Sequence, residues 1–388
     1  MNIHCDPSKR HDFVFLFDVV NGNPNGDPDA GNLPRVDAET NRGIVTDVCI
    51  KRKVRDYVHG VLNRPIYIQG ETALNDLYSQ ALEGTGLSKP AKLRLADFPD
   101  LKKTLDDESL AFDDWLASVD ELDYDPGTTE LSYVPEGKTA KAIRQHLLGE
   151  EEGELRPELK APVGTLIGKL VVACKDLKVS RQARSRTKED MRDRYWDVRM
   201  FGAVLTAGTN AGQIRGPMQL TFASSVDPVL PRDIAITRVA ITKASDMLRK
   251  QTEMGRKGYV PYGLYRLHGF YSPLLGVRAN GTEKPAQVVT ERDLTEFWEA
   301  LEKMFEFDRS AARGEMSCRG IYIFTHENPK GDAAAHRLFE LVQTQSRGDS
   351  AARAFGDYAG KIVTPMEGAV EGYPGVTLTR LPHEPGVL

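Results

Sequence analysis

An α+β fold of the ferredoxin-like type is the architecture this sequence predicts, and three observations predict it. The first is an almost unbroken aromatic and β-branched run at residues 13–20. The second is a pair of helical apolar stripes, at 50–61 and 294–305, with three- and four-residue steps. The third is order: ignoring insertions, the elements read strand, helix, strand, strand, helix, strand.

The first strand, Phe-Val-Phe-Leu-Phe-Asp-Val-Val, is short and apolar on both alternating faces, which predicts a central strand covered on both sides. From Asn21 to about Gly43 the density of Asn, Gly, Pro and Asp excludes any long regular element. A helix begins at Thr46, whose hydroxyl can cap free N–H groups, with Asp47 at the positive end of the dipole. Ile50, Val54, Tyr57, Val58 and Val61 mark its buried stripe. Lys51 and Arg55 flank that stripe and Arg52 lies opposite it.

Residues 84–162 differ in kind: acidic, with Pro-rich turns and weak helical patches such as 113–119, they read as an insertion into a body formed by 1–83 and 163–388. Strands are then expected at 217–223 and 234–242 as a pair, with Ser225 to Pro228 as the turn between them, and again at 259–271. Thr290 and Asp293 form an N-terminal capping box for the second helix. A strand at 318–325 and a helix near 336–342 complete the series. This order is shared by RNA-recognition modules, although the fold alone does not fix an activity.

Composition narrows the function. The 388 residues carry a net charge of -5, but residues 97–158 hold eighteen Asp+Glu against six Lys+Arg. The remainder is therefore positive, either a phosphate-attracting body or a neutral-behaving globule with a solvated acidic loop. No apolar run approaches the ~20 residues of a membrane helix, so no membrane partner is expected. The polar N-terminus lacks a secretory h-region, and Cys5, Cys49, Cys174 and Cys318 are widely scattered. Together these predict a reducing, cytoplasmic setting.

The stretch Asn21-Gly-Asn-Pro-Asn-Gly-Asp-Pro-Asp29 partly mimics a calcium loop, but its early ligands are Asn and its twelfth position is Asn32. Two readings stand: a connector satisfying its own backbone, or a polar clamp in which Asn21, Asn23 and Asn25, with Arg35 beyond them, meet an RNA backbone. Thr46, Lys51, Arg52 and Arg55 open the following helix, either as an anion site or as a solvated cationic face. Near Thr242–Gly258 a basic segment bears Lys243, Arg256 and Lys257 with Met247 and Met254, a flexible projection able to follow a strand or simply an exposed hairpin. Gly164 to Leu170 fails as a P-loop on spacing, and Arg319 to Phe324 lacks the aromatic order of a base-stacking strand. No metal, cofactor or catalytic residue is predicted, and no H-E-x-x-H or G-x-S-x-G is present. The exception considered is metal-assisted in-line RNA cleavage by one of Asp18, Asp27, Asp29 or Asp37, which cluster near the first loop and otherwise cap turns.

These stretches together resemble the backbone subunit of type I-C CRISPR Cascade, in the RAMP superfamily. The resemblance is carried by Asn21 to Gly31 and Thr46 to Arg55, then Asp197-Val-Arg199-Met-Phe-Gly-Ala-Val204 and Ile214-Arg215-Gly-Pro-Met-Gln219. Gly255-Arg-Lys257, Val260-Pro-Tyr-Gly-Leu-Tyr265 and Asp308-Arg-Ser-Ala-Ala-Arg-Gly314 follow in the family's order. It implies a RAMP palm with finger and thumb extensions, the thumb near 242–258. It further implies a non-catalytic protein whose copies polymerise head to tail along the guide RNA, beside other Cascade subunits, leaving bases free to pair with target DNA. RNA contacts are then expected from Asn21, Asn23, Asn25, Arg35, Thr46, Lys51, Arg52, Arg55, Arg199, Arg215, Lys243, Arg256 and Lys257. The acidic insertion is a departure from the family pattern.

Overall fold

A computed structural model describes residues 2–70, 72–84, 91–119, 122–133, 140–148, 157–173, 181–205, 212–239, 253–278, 286–346 and 351–382. The chain divides into two compact units, Met1–Arg64 with Gly216–Leu388, and Pro65–Arg215.

The first unit is built on an antiparallel sheet. Strand β1 (His11–Gly22) lies between Glu315–His326 and the long strand Glu253–Tyr271. Beyond the long strand come Ala223–Pro228 and then Arg42–Val45; beyond Glu315–His326 come Val376–Leu381 and Gly368–Ala369. Counting the four principal strands in chain order, their spatial order is four, one, three, two, with every pairing antiparallel. This is the ferredoxin-like order expected from the sequence.

β1 is covered on both sides, as its unbroken apolar run requires. Phe13, Phe15 and Phe17 pack against Phe297, Trp298 and Phe305 of the helix Glu291–Phe307. Val14 and Leu16 face a second cluster with Tyr262, Leu264, Phe324, Phe339 and Tyr358. The Thr290–Asp293 capping box is complete, with Thr290 N–H donating to Asp293 Oδ2 at 2.8 Å.

Two expectations are corrected here. Ser225 to Pro228 is not a turn but the body of the strand Ala223–Pro228: Ser225 Oγ accepts from Gly43 N–H and donates to the Asp227 carbonyl, tying the polar residues into the sheet. The strand Arg232–Arg238 therefore pairs not with its predecessor but with residues 253–259, forming one arm of a two-stranded ribbon. Residues 240–252, which include Lys243 and most of the basic projection, lie outside the described residues.

The second unit contains two apolar clusters. One draws on residues 91–171, including Phe112, Trp115, Leu131, Val163, Leu166 and Leu170. The other joins Tyr67, Leu77 and Tyr78 to Met191, Tyr195, Val198 and Ile214. Asp197, 1% exposed, fastens the latter by accepting Tyr67 N–H at 2.7 Å and Ile68 N–H at 3.1 Å. The compact unit thus extends beyond the acidic 84–162 segment at both ends. Of the chain's 51 Lys+Arg and 56 Asp+Glu, 21 and 26 fall in this unit, leaving 30 of each in the first. The positive excess expected of the body lies instead in the second unit outside 97–158, more than half of it in residues 175–199, which hold nine Lys+Arg against five Asp+Glu.

Candidate nucleic-acid interface

Four sequence segments meet where β1 ends. Gly22 continues the strand because a Cβ there would overlap the Arg313 carbonyl. Asn23 N–H then donates to Ala312 O at 2.8 Å, and Arg313 Nη1 returns to Asn23 O at 3.4 Å. Asn23 is buried; its Nδ2 donates to Asn32 O at 2.7 Å while its Oδ1 is enclosed with no hydrogen-bond partner. Asn25 Oδ1 accepts both Thr46 N–H at 3.0 Å and Thr46 Oγ1 at 2.9 Å, fixing the start of helix α1 (Asp47–Gly60). Thr46 caps that helix, accepting from Cys49 N–H. Arg35 closes the loop by donating from Nε to Gly26 O at 3.2 Å, and it lies 3.5 Å from Asp27.

Cations concentrate around this knot. Lys53 is 2% exposed and pairs with Asp308, which also faces Arg313 at 3.4 Å. Lys257 Nζ donates to Ala311 O. Lys51 pairs with Asp47 at 2.8 Å in the first turn of α1. Burial lifts the Cys49 thiol above its ordinary value, against the opposing pull of Lys53 and Arg313. The positive end of a capped helix, a group of amides and several cations sharing few carboxylates make a surface suited to a polyanion.

The predicted residues divide. Asn23, Asn25, Arg35, Thr46, Lys51 and Lys257 converge on the knot, and Asn21, exposed with φ 50°, stands at its edge. Arg52 is on the outer side of α1, paired with Asp56 at 2.6 Å. Arg55 is corrected: at 7% exposed it belongs to the packed side of α1, because, three residues before the buried Val58, it lies about 60° from it around the helix. Val61, counted in the buried stripe, is instead the helix's C-cap and 41% exposed. Arg256 pairs with Asp233 at 2.7 Å on the opposite face of the ribbon from Lys257. Arg199 and Arg215 lie in the second unit, Arg199 donating to the Arg192 carbonyl at 2.7 Å and Arg215 exposed.

Lys53, Asp308 and Arg313 escaped sequence reasoning as site residues. A signal existed: Lys53 falls beside the Ile50–Val54–Tyr57 stripe, where a lysine needs a buried carboxylate partner. Of the aspartates considered for catalysis, Asp18 is 1% exposed and held by Arg319 at 2.9 Å and Tyr262 at 3.2 Å, and burial raises its pKa. Asp27 accepts from Asp29 N–H, and Asp37 accepts from Glu39 N–H, which lowers the Asp37 pKa. Among the described residues no three His, Cys, Asp or Glu side chains are grouped to hold a metal ion, and no helix is long and apolar enough to cross a membrane.

The family model described as "CRISPR-associated protein Cas7" matches residues 9–119 and 132–363. A protein of that description from Haloferax volcanii is 47% identical over 47 residues, a stretch covering 12% of this chain and 14% of that relative. Two solved structures are similar in outline. A chain of a "CRISPR RNA-guided surveillance complex, pre-nicking" is 17% identical with a TM-score of 0.45, covering 91% of this chain and 87% of that one. A chain of a "CRISPR RNA-guided surveillance complex" is 14% identical with a TM-score of 0.37, covering 88% and 82%.

Proposed function

The chain belongs to the Cas7 family of CRISPR-associated proteins, and from that premise we propose that it is a non-catalytic, guide-RNA-coating backbone subunit of a type I-C Cascade complex. The observation that carries this reading is the convergence of residues 21–25, 46, 53, 257 and 308–313 on one cation-rich knot. Amide and N–H groups there suit sugar and phosphate oxygens, and none of these knot residues is an aromatic that would invite base stacking. The bases of a bound strand would stay turned outward, available to target DNA. Copies would stack head to tail, each gripping the same length of RNA, with the ribbon 232–238/253–259 as the base of the thumb and other Cascade subunits at the ends.

The test is salt dependence. Changing Arg35, Lys51 and Lys257 together to Ala should weaken single-stranded RNA binding for any sequence. It should also lower the slope of log K against log salt by about 0.7 for each phosphate no longer neutralised. A folded triple variant with unaltered affinity and slope would exclude the knot as the RNA track.

A further inference from the structure

The long strand Glu253–Tyr271 places Arg266 and His268 on the same sheet face as Leu264 of the second cluster. Both line an open cavity of about 510 Å³ whose other walls come from residues 336–345. None of its lining residues belongs to the knot. Arg266 is half-buried, and its partners are all neutral. Nε donates to His268 Nε2 at 3.0 Å and Nη2 to the Phe339 carbonyl at 2.6 Å. Nη1 donates to the Val342 carbonyl and, at 3.5 Å, to Thr344 Oγ1. Among the described residues no carboxylate pairs with this guanidinium. The two carbonyls, at the C-terminal end of the helix Ala335–Leu341, satisfy N–H groups but do not cancel a full charge. Burial pushes the guanidinium below its ordinary value, with no acid opposing the shift.

The bond to His268 also fixes a tautomer. Arginine Nε always carries a proton, so His268 Nε2 must accept and the ring proton sits on Nδ1. Burial, and then the Arg266 charge, lowers the His268 pKa to about 4, which keeps the imidazole neutral. Phe339 stacks on the ring at 4.2 Å and holds its orientation. Nδ1–H meets no acceptor among the described residues. Of the five guanidinium N–H groups four are engaged, which leaves one on Nη2. The cavity is thus lined by two unspent donors and a positive charge that no acid balances. Its chemical complement is an oxyanion. Gln343 and Gln345 are exposed along the rim, and Glu340, also exposed, is the only acid in the lining. The volume falls within the range of small-molecule sites, larger than a bare phosphate needs.

We propose that this cavity is a phosphate-ester site, the oxyanion accepting from His268 Nδ1–H and from the remaining Nη2–H of Arg266, with the ester's sugar against the rim amides. A free sugar phosphate and one sugar-phosphate unit of a strand share this chemistry. Arg266 lies six residues along the strand from Val260, the partner of Gly22 at the knot, a separation of about 20 Å. The phosphate held here is therefore a different one from any held at the knot. The site does not depend on the RNA-coating role: phosphate-ester binding would stand even if the knot proved inert.

Calorimetric titration of the full chain, freed of nucleic acid, with ribose 5-phosphate and with ribose tests it. Ribose 5-phosphate should bind saturably, and equally well when Arg35, Lys51 and Lys257 are all changed to Ala; ribose should not bind. Glu340→Gln removes the one opposing charge and should tighten binding about threefold, a gain that misfolding cannot imitate. His268→Phe keeps a ring against Phe339 and should weaken binding about tenfold in protein shown by thermal melting to be folded; if it unfolds, the Glu340 variant decides. In the Arg35/Lys51/Lys257 variant, displacement of ribose 5-phosphate by an oligoribonucleotide without terminal phosphates supports a strand phosphate, and simultaneous binding supports a free ester. No saturable binding of ribose 5-phosphate, equal binding of ribose, an unchanged affinity in Glu340→Gln, or an unchanged affinity in folded His268→Phe would overturn the proposal.

Discussion

Lys53 and Asp308 show how a single pair joins fold to function. The lysine is 2% exposed, yet its partner, 28% exposed at the side chain, is shared with Arg313 at the rim of the knot. Removing the carboxylate leaves a buried ammonium unpaired beside a second cation. Asp308→Ala is therefore expected to cost about 3 kcal/mol, the lower end for breaking a buried pair, with Lys53→Met costing less because the buried charge itself is gone and Asp308 keeps Arg313 as a partner. Urea unfolding of the two variants checks the order; a cheaper Asp308→Ala would show that solvent already screens Lys53. His11 gives a second residue-level expectation. Burial lowers its pKa to about 4, while an unfolded imidazole titrates near ~6.5. Its contribution is complete above the unfolded value and lost as pH falls toward the folded one, at up to about 1.4 kcal/mol per pH unit. His11→Gln should flatten the decline in stability between about pH 6.5 and 4. An acid limb as steep as the parent's would assign that decline to other groups.

At the scale of elements, the two helices and the central strand were readable because their signals are local. β1 announces itself by apolar residues on both faces, and the helix Glu291–Phe307 by a stripe and a capping box that the structure completes. Thr290→Ala removes the acceptor for Asp293 N–H, and a loss of about 1 kcal/mol in unfolding free energy is expected, while Thr290→Ser should retain most of it. Equal losses in both would mean that the methyl, not the hydroxyl, matters. The strand Ala223–Pro228 was not legible. Ser225 and Asp227 look like turn formers, and only partners far away in sequence, Gly43, Tyr358 and Ser346, make them sheet residues. The same limit governs the knot. Thr46 as a cap follows from its neighbours, but Asn25 as the group that orients Thr46, and Asp308 as the group that balances Lys53, depend on chain crossings 21 and 255 residues apart. Arg55 illustrates the converse: its charge suggested a phosphate ligand, and packing placed it inside.

For the whole molecule, the acidic segment was visible by composition but its edges were not, because composition does not report which apolar residues close a core. The helix Pro157–Ala173 carries Val163, Leu166, Ile167 and Leu170 into the same cluster as Ala91, Phe112 and Leu131. A cut at 162 severs that helix from the core it completes. Residues 67–81 and 191–214, by contrast, form a cluster of their own. Excision of 84–162 should therefore expose at least four large buried side chains at about 1.5–3 kcal/mol each, giving aggregation or loss of a cooperative melt. Replacing 85–180 with a short Gly/Ser linker removes the whole first cluster and leaves the second one closed. That variant should melt cooperatively and, since the knot residues lie in Met1–Arg64 and Gly216–Leu388, bind single-stranded RNA within about threefold of the parent. Should the shorter excision fold well and the longer one collapse, the boundary between the two clusters is misplaced; should the longer one fold but release RNA, the acidic half of the second unit shapes the binding track itself.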